Sequence, residues 1–228
     1  MQPATERALS LLEASFPDLE PEMLARFSIG QRDALLLSVR ESTFGPRVAA
    51  ITNCPDCSEQ LELGFDVEDL RVAPSPVAPL DPASLAVDDY ELRFRLPDSL
   101  DLLAIAAHSD AQSAREALIK RCLLSARRRE QETPVGLVPE QILVRMEEEM
   151  SKVDAQANVT LSLDCPSCHK SWSAAFDILG FFWSELDAWS QRLLADVHAL
   201  ASRYGWREAD ILEMSPVRRN IYLNMSSR

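Results

Sequence analysis

Cys54-Pro55-Asp56-Cys57 and Cys165-Pro166-Ser167-Cys168 decide how this chain is read, and together they hold four of its five cysteines. Each motif sits where an alternating, extended segment turns back on itself. Val48 to Thr52 favours a strand before the first. After it, Leu61, Leu63, Phe65 and Val67 alternate with Glu62, Gly64 and Asp66, the period of a half-buried strand. Val159, Leu161 and Leu163 alternate into the second motif, and Trp172 and Phe176 follow it. The spacing therefore predicts two strand-knuckle-strand hairpins with cysteines at their tips.

Two such knuckles facing each other make a tetrahedral thiolate site, which zinc fills best. Cys54, Cys57, Cys165 and Cys168 are the candidate ligands of a structural Zn2+. Four thiolates leave no open position for water or substrate. More than a hundred residues separate the motifs, so the ion would tie together distant parts of the chain. The competing readings are ordinary buried cysteines or a redox dithiol, but a redox CxxC usually occurs singly at a strand-helix junction. Cys165-Pro166-Ser167-Cys168-His169 also has the CxxCH form of covalent haem attachment. That chemistry needs export and leaves the partner motif unexplained.

Composition removes several function classes. A chain of 228 residues, 46% hydrophobic, can bury a sizeable core. Its formal charge of −13 argues against broad binding to nucleic acid or anionic membranes, which both require cationic surface. The local clusters Arg127-Arg128-Arg129 and Arg218-Arg219 read as solvated helix ends or partner contacts. Met1 to Arg7 has no apolar h-region, so no signal peptide is expected. No apolar run approaches the roughly 18 residues of a membrane span. A reducing cytoplasm follows, where paired CxxC motifs read first as metal sites.

Around the knuckles the pattern is helical. Residues 4–16 have helical spacing that Pro17 stops; Pro21 opens a second helix, and a third runs from Ile29 or Gly30 to Glu41, with Gly45-Pro46 breaking it. Residues 71–88 contain prolines at 74, 76, 79 and 82 and read as an extended linker or surface loop. Tyr90, Leu92, Phe94 and Leu96 mark a strand. Pro97-Asp98-Ser99 starts a helix through about His108, and Asp110 caps the next, with Cys122 and Leu123 on its buried face. Residues 127–134 read as a polar loop and Pro139 opens a helix to about Met150. The strongest helix carries Leu179, Phe182, Leu186, Trp189, Leu193, Val197 and Leu200, and Gly205 ends it. Ser215-Pro216 begins a short last helix. The expected fold is α+β, helix-rich, with a central split zinc ribbon. Its expected parts are N-terminal helices (1–47), ribbon halves (48–72 and 155–176), an inserted linker, strand and helices (73–154) and C-terminal helices (177–228).

No constellation selects a catalytic group. Cys122 lies among apolar neighbours and reads as a small core residue. His108 and His198 are isolated on helices, and there is no GxGxxG, P-loop, GxSxG or HExxH. In the run Phe181-Phe182-Trp183 and Trp189, Phe182 and Trp189 fit the core stripe. Phe181 and Trp183 cannot both join it, so this helix is buried on several sides or some aromatics meet a partner.

Several blocks, in order, resemble a known family. Gly30-Gln31-Arg32-Asp33-Ala34-Leu35-Leu36-Leu37, then Phe44-Gly45, then Cys-Pro-x-Cys, resembles the start of the baseplate hub assembly family of contractile phage tails of T-even type. The strand Leu92 to Leu96 with Pro97-Asp98-Ser99-Leu100-Asp101-Leu102-Leu103 looks like the family's next block. The second knuckle, Phe176-Asp177-Ile178, Trp183-Ser184-Glu185-Leu186, Glu208, Ile211-Leu212, Ser215, Arg218-Arg219 and Tyr222 are similar to versions in phage-tail-like contractile injection systems. The resemblance spans most of residues 28–225, and residues 71–88 and 130–155 add nothing to it. It implies a non-enzymatic, chaperone-like assembly protein or structural component of a baseplate hub, acting in the bacterial cytoplasm or incorporated into the particle. Its implied partners are hub or spike proteins, its implied metal positions Cys54, Cys57, Cys165 and Cys168. Ser58 and His169, after the second cysteine of each knuckle, depart from the glycine common in zinc knuckles. Two other classes stay open on the residues alone: a zinc-ribbon adaptor for nucleic acid or the transcription machinery, and a CxxC dithiol redox protein.

Overall fold

Ser28 starts the helix on which the N-terminal part packs. Its hydroxyl accepts from the Gln31 amide at 3.2 Å, and the Gln31 side chain accepts from the Ser28 amide at 3.1 Å, a reciprocal capping box. In the computed structural model, which describes residues 3–72 and 78–226, this helix is α3 (Ile29–Phe44), preceded by α1 (Ala4–Ser15) and α2 (Pro21–Arg26). Gly45, at φ 87°, ends α3 in a conformation that disfavours a Cβ. Leu35, Leu36 and Leu37 are all buried, so α3 is enclosed on several sides and pairs its internal charges locally. Arg40 donates to the Gly45 carbonyl at 2.7 Å and Arg32 meets Asp33 at 2.8 Å.

Two hairpins follow the knuckle pattern. β1 (Arg47–Asn53) pairs antiparallel with β2 (Gln60–Asp66), opposing Thr52 to Leu61 and Val48 to Phe65. β7 (Thr160–Asp164) pairs with β8 (Ser171–Ala175), opposing Leu163 to Trp172. They form separate two-stranded sheets. Between them in sequence lies a four-stranded antiparallel sheet, ordered β3 (Ala83–Val87), β4 (Tyr90–Phe94), β5 (Leu123–Arg128), β6 (Gln131–Glu132). Three helices accompany it: α4 (Ser99–Ile105), α5 (Ala111–Cys122) and α6 (Glu140–Val153). Tyr90, Leu92 and Phe94 pack with Ile119, Leu123, Ala126, Ile142 and Met146 in one core. Each such large side chain contributes about 1.5–3 kcal/mol by leaving water. Glu91 and Arg93, one position out of phase, face solvent.

Contacts divide the chain into two units, Met1–Leu179 and Gly180–Arg228. The second consists of most of α7 (Ile178–Tyr204), then α8 (Glu208–Leu212) and α9 (Pro216–Ser226). Gly205, at φ 69°, stops α7 while its amide bonds the Ala201 carbonyl at 2.8 Å. Leu200, Val197 and Ile211 form this unit's core. Tyr204 stacks on Trp206 at 4.5 Å, and Trp206 meets Tyr222 edge-on at 4.8 Å.

The α+β class with antiparallel sheets holds, and several sequence expectations need correction. Part of the proline-rich stretch, Ala83–Val87, is the edge strand β3, registered Leu85 to Leu92; residues 73–77 lie outside the described residues. The fifth helix stops at Cys122, and Leu123 begins β5 instead of continuing the helix. Residues 127–134 hold the β5–β6 hairpin, where Arg129 (φ 48°) and Glu130 (φ 68°) turn the chain. The arginine cluster at 127–129 thus sits on a hairpin rather than a helix end. Arg219 is buried, and Trp189, assigned to the core stripe, is 45% exposed.

Candidate metal centre

The two knuckles are built alike, hydrogen bond for hydrogen bond. In the first, the Ser58 amide donates to the Cys54 carbonyl at 2.9 Å and the Cys54 amide to the Glu59 carbonyl at 2.8 Å. In the second, the His169 amide donates to the Cys165 carbonyl at 2.9 Å and the Cys165 amide to the Lys170 carbonyl at 2.9 Å. Ser58 and His169 both take the left-handed conformation, at φ 62° and 59°. The turn that glycine makes without strain is therefore made here by two residues carrying a Cβ.

These turns bring together all four cysteines singled out from the sequence. The Sγ atoms of Cys54, Cys57, Cys165 and Cys168 lie within 4.8 Å of one another. Cys54 is 3.6 Å from Cys168 and Cys57 is 3.6 Å from Cys165. A tetrahedron with metal–sulfur bonds of about 2.3 Å has sulfur–sulfur edges of about 3.8 Å, so the set fits a tetrahedral ion. None of the four is in a disulfide. Cys54 and Cys165 are buried while Cys57 is exposed, and Leu61, Leu63 and Trp172 pack against the cluster. The alternating positions that marked the strands supply this apolar wall.

The thiols do not titrate alike. The Cys57 amide, hydrogen-bonded to the Cys54 sulfur, is the main cause that lowers the Cys54 pKa to about 7. At Cys168 the Lys170 amide pulls the other way, yet desolvation and the surrounding sulfurs outweigh it and push the thiol up to about 12. Cys57 is also raised: the Glu59 amide favours its thiolate, and desolvation with the Cys165 and Cys54 sulfurs overrides that help. Adjacent thiolates repel, so one ionises at the expense of its neighbours. A cation at the centre removes that conflict and allows all four to ionise.

The remaining candidates stay apart from this cluster. Cys122 is buried beside Asp101, its Sγ 4.0 Å from Oδ2, and burial raises its pKa to about 12, which suits a core thiol and not a nucleophile. His108, His169 and His198 are exposed. No helix among the described residues is long and apolar enough to cross a membrane.

Two separate hairpins closing four thiols around one point, inside an α+β chain, define a protein with a zinc-ribbon-like centre positioned to bind a metal ion. The chain belongs to the T4 bacteriophage base plate protein family, whose model matches residues 5–183. The match includes both knuckles and every strand. No curated protein and no solved structure matches the chain significantly. Membership supports a structural or assembly role in a phage particle, in contact with other baseplate proteins.

Proposed function

We propose that the chain is a non-enzymatic assembly factor or structural component of the baseplate hub of a contractile phage tail or phage-tail-like injection system. Its metal is one structural zinc held by Cys54, Cys57, Cys165 and Cys168. The observation that carries this reading is the convergence of four thiols from hairpins 108 to 114 positions apart, in a chain of a base plate family. An all-thiolate donor set suits zinc, and four such ligands leave no coordination position for a reacting group. The ion would clamp the hairpins into one platform, and an ion bound only by the folded chain would add its binding free energy to stability. Hub or spike proteins would read the resulting surface in the bacterial cytoplasm. Retention in the finished particle would mark a resident subunit, and absence from it a transient chaperone.

The test is co-expression with the neighbouring hub and spike proteins, followed by affinity capture and native mass. A stoichiometric complex that disappears when Cys54 and Cys165 are both alanine supports the proposal. Unchanged assembly and folding of the double variant would refute the clamp.

A further inference from the structure

The C-terminal unit contains a groove that the metal centre does not explain. It lies between α7 and α9, encloses about 420 Å³, and its walls include Trp189, Arg192, Leu193, Asp196, Pro216 and Arg219. Two of these residues are out of character. Trp189 sits on the helical spacing of the core yet is 45% exposed, and Arg219 is a charged residue only 8% exposed.

Arg219 is incompletely satisfied. Its Nη1 donates to the carbonyls of Met214 at 2.9 Å and Leu212 at 3.5 Å. Its Nε is shut off from solvent and has no hydrogen-bond partner among the described residues. A buried donor left without an acceptor is destabilising, and a charged one more so. Among the described residues the guanidinium pairs with carbonyl dipoles and with no carboxylate, which leaves its charge uncompensated. An anion brought into the groove that Arg219 lines would compensate the charge.

The surroundings favour an anionic one. The first turn of α9 forms one wall of the groove, with the Ser215 hydroxyl accepting from the Arg218 amide at 3.3 Å, so the positive end of that helix lies beside Arg219. Arg192 adds a second cation. Gly180–Arg228 carries six acidic and six basic residues, so the formal charge of −13 resides entirely in the preceding part of the chain. Asp196 in the same wall opposes a run of acids. The apolar surface of Trp189, Leu193 and Pro216 suits a large side chain next to the charge.

We propose that this groove docks an acidic segment of a partner protein: one carboxylate pairs with Arg219 and Arg192, and an adjacent apolar side chain packs on Trp189. The groove lies beyond residue 183, where the family match ends, so the inference does not depend on the base plate assignment.

The Nε–H resonance of Arg219 reports on the pairing directly. In the full chain it is assigned by its loss in R219K and followed by nitrogen-15 NMR, together with the indole N–H of Trp189. The probe is an acetylated, amidated Ala-Leu-Glu-Leu-Ala peptide, with its Gln counterpart as control. Saturable movement of both resonances, with a Kd of about 1 mM and binding at least about fivefold weaker for the Gln peptide, is the expected result. R192Q and W189A, both at exposed positions, should each weaken the Glu peptide about threefold or more, which keeps the test informative should a change at Arg219 disturb the fold. No saturable shift up to about 10 mM peptide, or equal binding of the two peptides, would overturn the proposal. So would peptide-free shifts that grow with protein concentration, which would assign the groove to a second copy of this chain.

Discussion

The Gly30 amide donates a 2.9 Å hydrogen bond to Asp154 Oδ2, joining the start of α3 to the end of α6 across 124 positions. Ser28 Oγ donates to the other oxygen of the same carboxylate at 2.9 Å. A carboxylate at a helix N-terminus meets free amides and the positive end of the dipole. The approach needs glycine: a Cβ at position 30 would overlap Asp154 Oδ1 and lie 2.8 Å from the Ala157 amide nitrogen, a backbone atom that cannot simply rotate away. Gly30→Ala should therefore lower stability by about 2 kcal/mol or more. Urea unfolding checks this, and an unchanged midpoint would mean that the contact between α3 and residues 154–157 is loose.

Asp33, beside this junction, gives an expectation about pH. Burial raises its pKa from 3.8 to about 6, against the lowering effect of Arg32, with Asp177 and Asp154 adding to the rise. Asp154 is raised as well, again chiefly by burial. A carboxyl that binds its proton more tightly when folded stabilises the fold at low pH. That contribution is greatest below about pH 4 and disappears as pH rises through about 6. Asp33 should thus contribute about 1–2 kcal/mol more at about pH 5 than at about pH 7, read as the difference in stability between the native chain and Asp33→Asn at the two pH values. Thermal melts of both proteins across that range decide it; a difference between native chain and variant that does not change with pH would contradict the assignment.

Asp101 is the opposite case. It is fully buried, yet Arg95 at 2.8 Å, Arg121 at 2.6 Å and the Asp98 amide at 3.1 Å hold its carboxylate ionised. Burial alone would raise its pKa, and these partners together bring it down to about 2. Asp101→Ala strands two guanidinium groups that keep some access to water, at a cost of roughly 2–4 kcal/mol. A double change, Asp101→Ala with Arg95→Met, should recover part of that loss. The comparison is made on unfolding midpoints, and equal stability of the single and double variants would mean that the pair is uncoupled.

The knuckle turns carry the next expectation. Ser58 and His169 hold positive φ at a strain of about 1–2 kcal/mol each relative to glycine. Glycine also loses more freedom on folding, so Ser58→Gly and His169→Gly should each stabilise the metal-loaded protein by up to about 1 kcal/mol. Clear destabilisation by either would show that the side chain has a role outside the turn.

The knuckles were legible because their signal is local: CxxC at a break between alternating runs specifies both the turn and the ligands. Pro21, Asp98 and Gly205 were legible for the same reason, since caps and breakers act within a few residues. The strands β3 and β5 were not. Ala83–Val87 follows a proline-rich run and is held by its pairing with β4, a tertiary effect. Leu123 continues the helical spacing of α5, and only the ladder opposite Phe94, with a register shift there, turns it into strand. The burial of Arg219 left no trace in the sequence, because neighbouring arginines at a helix start look alike until packing separates them.

The central claim is that one zinc ion, bound by Cys54, Cys57, Cys165 and Cys168, holds the two hairpins together. Native mass spectrometry paired with elemental analysis tests it most directly, on protein purified without chelator, alongside the Cys54→Ala/Cys165→Ala variant. The account predicts one zinc per native chain, none in the variant, and a fall in unfolding temperature when a strong chelator strips the ion. Native protein that contains no metal, with all four thiols free to react and stability indifferent to chelator, would contradict it.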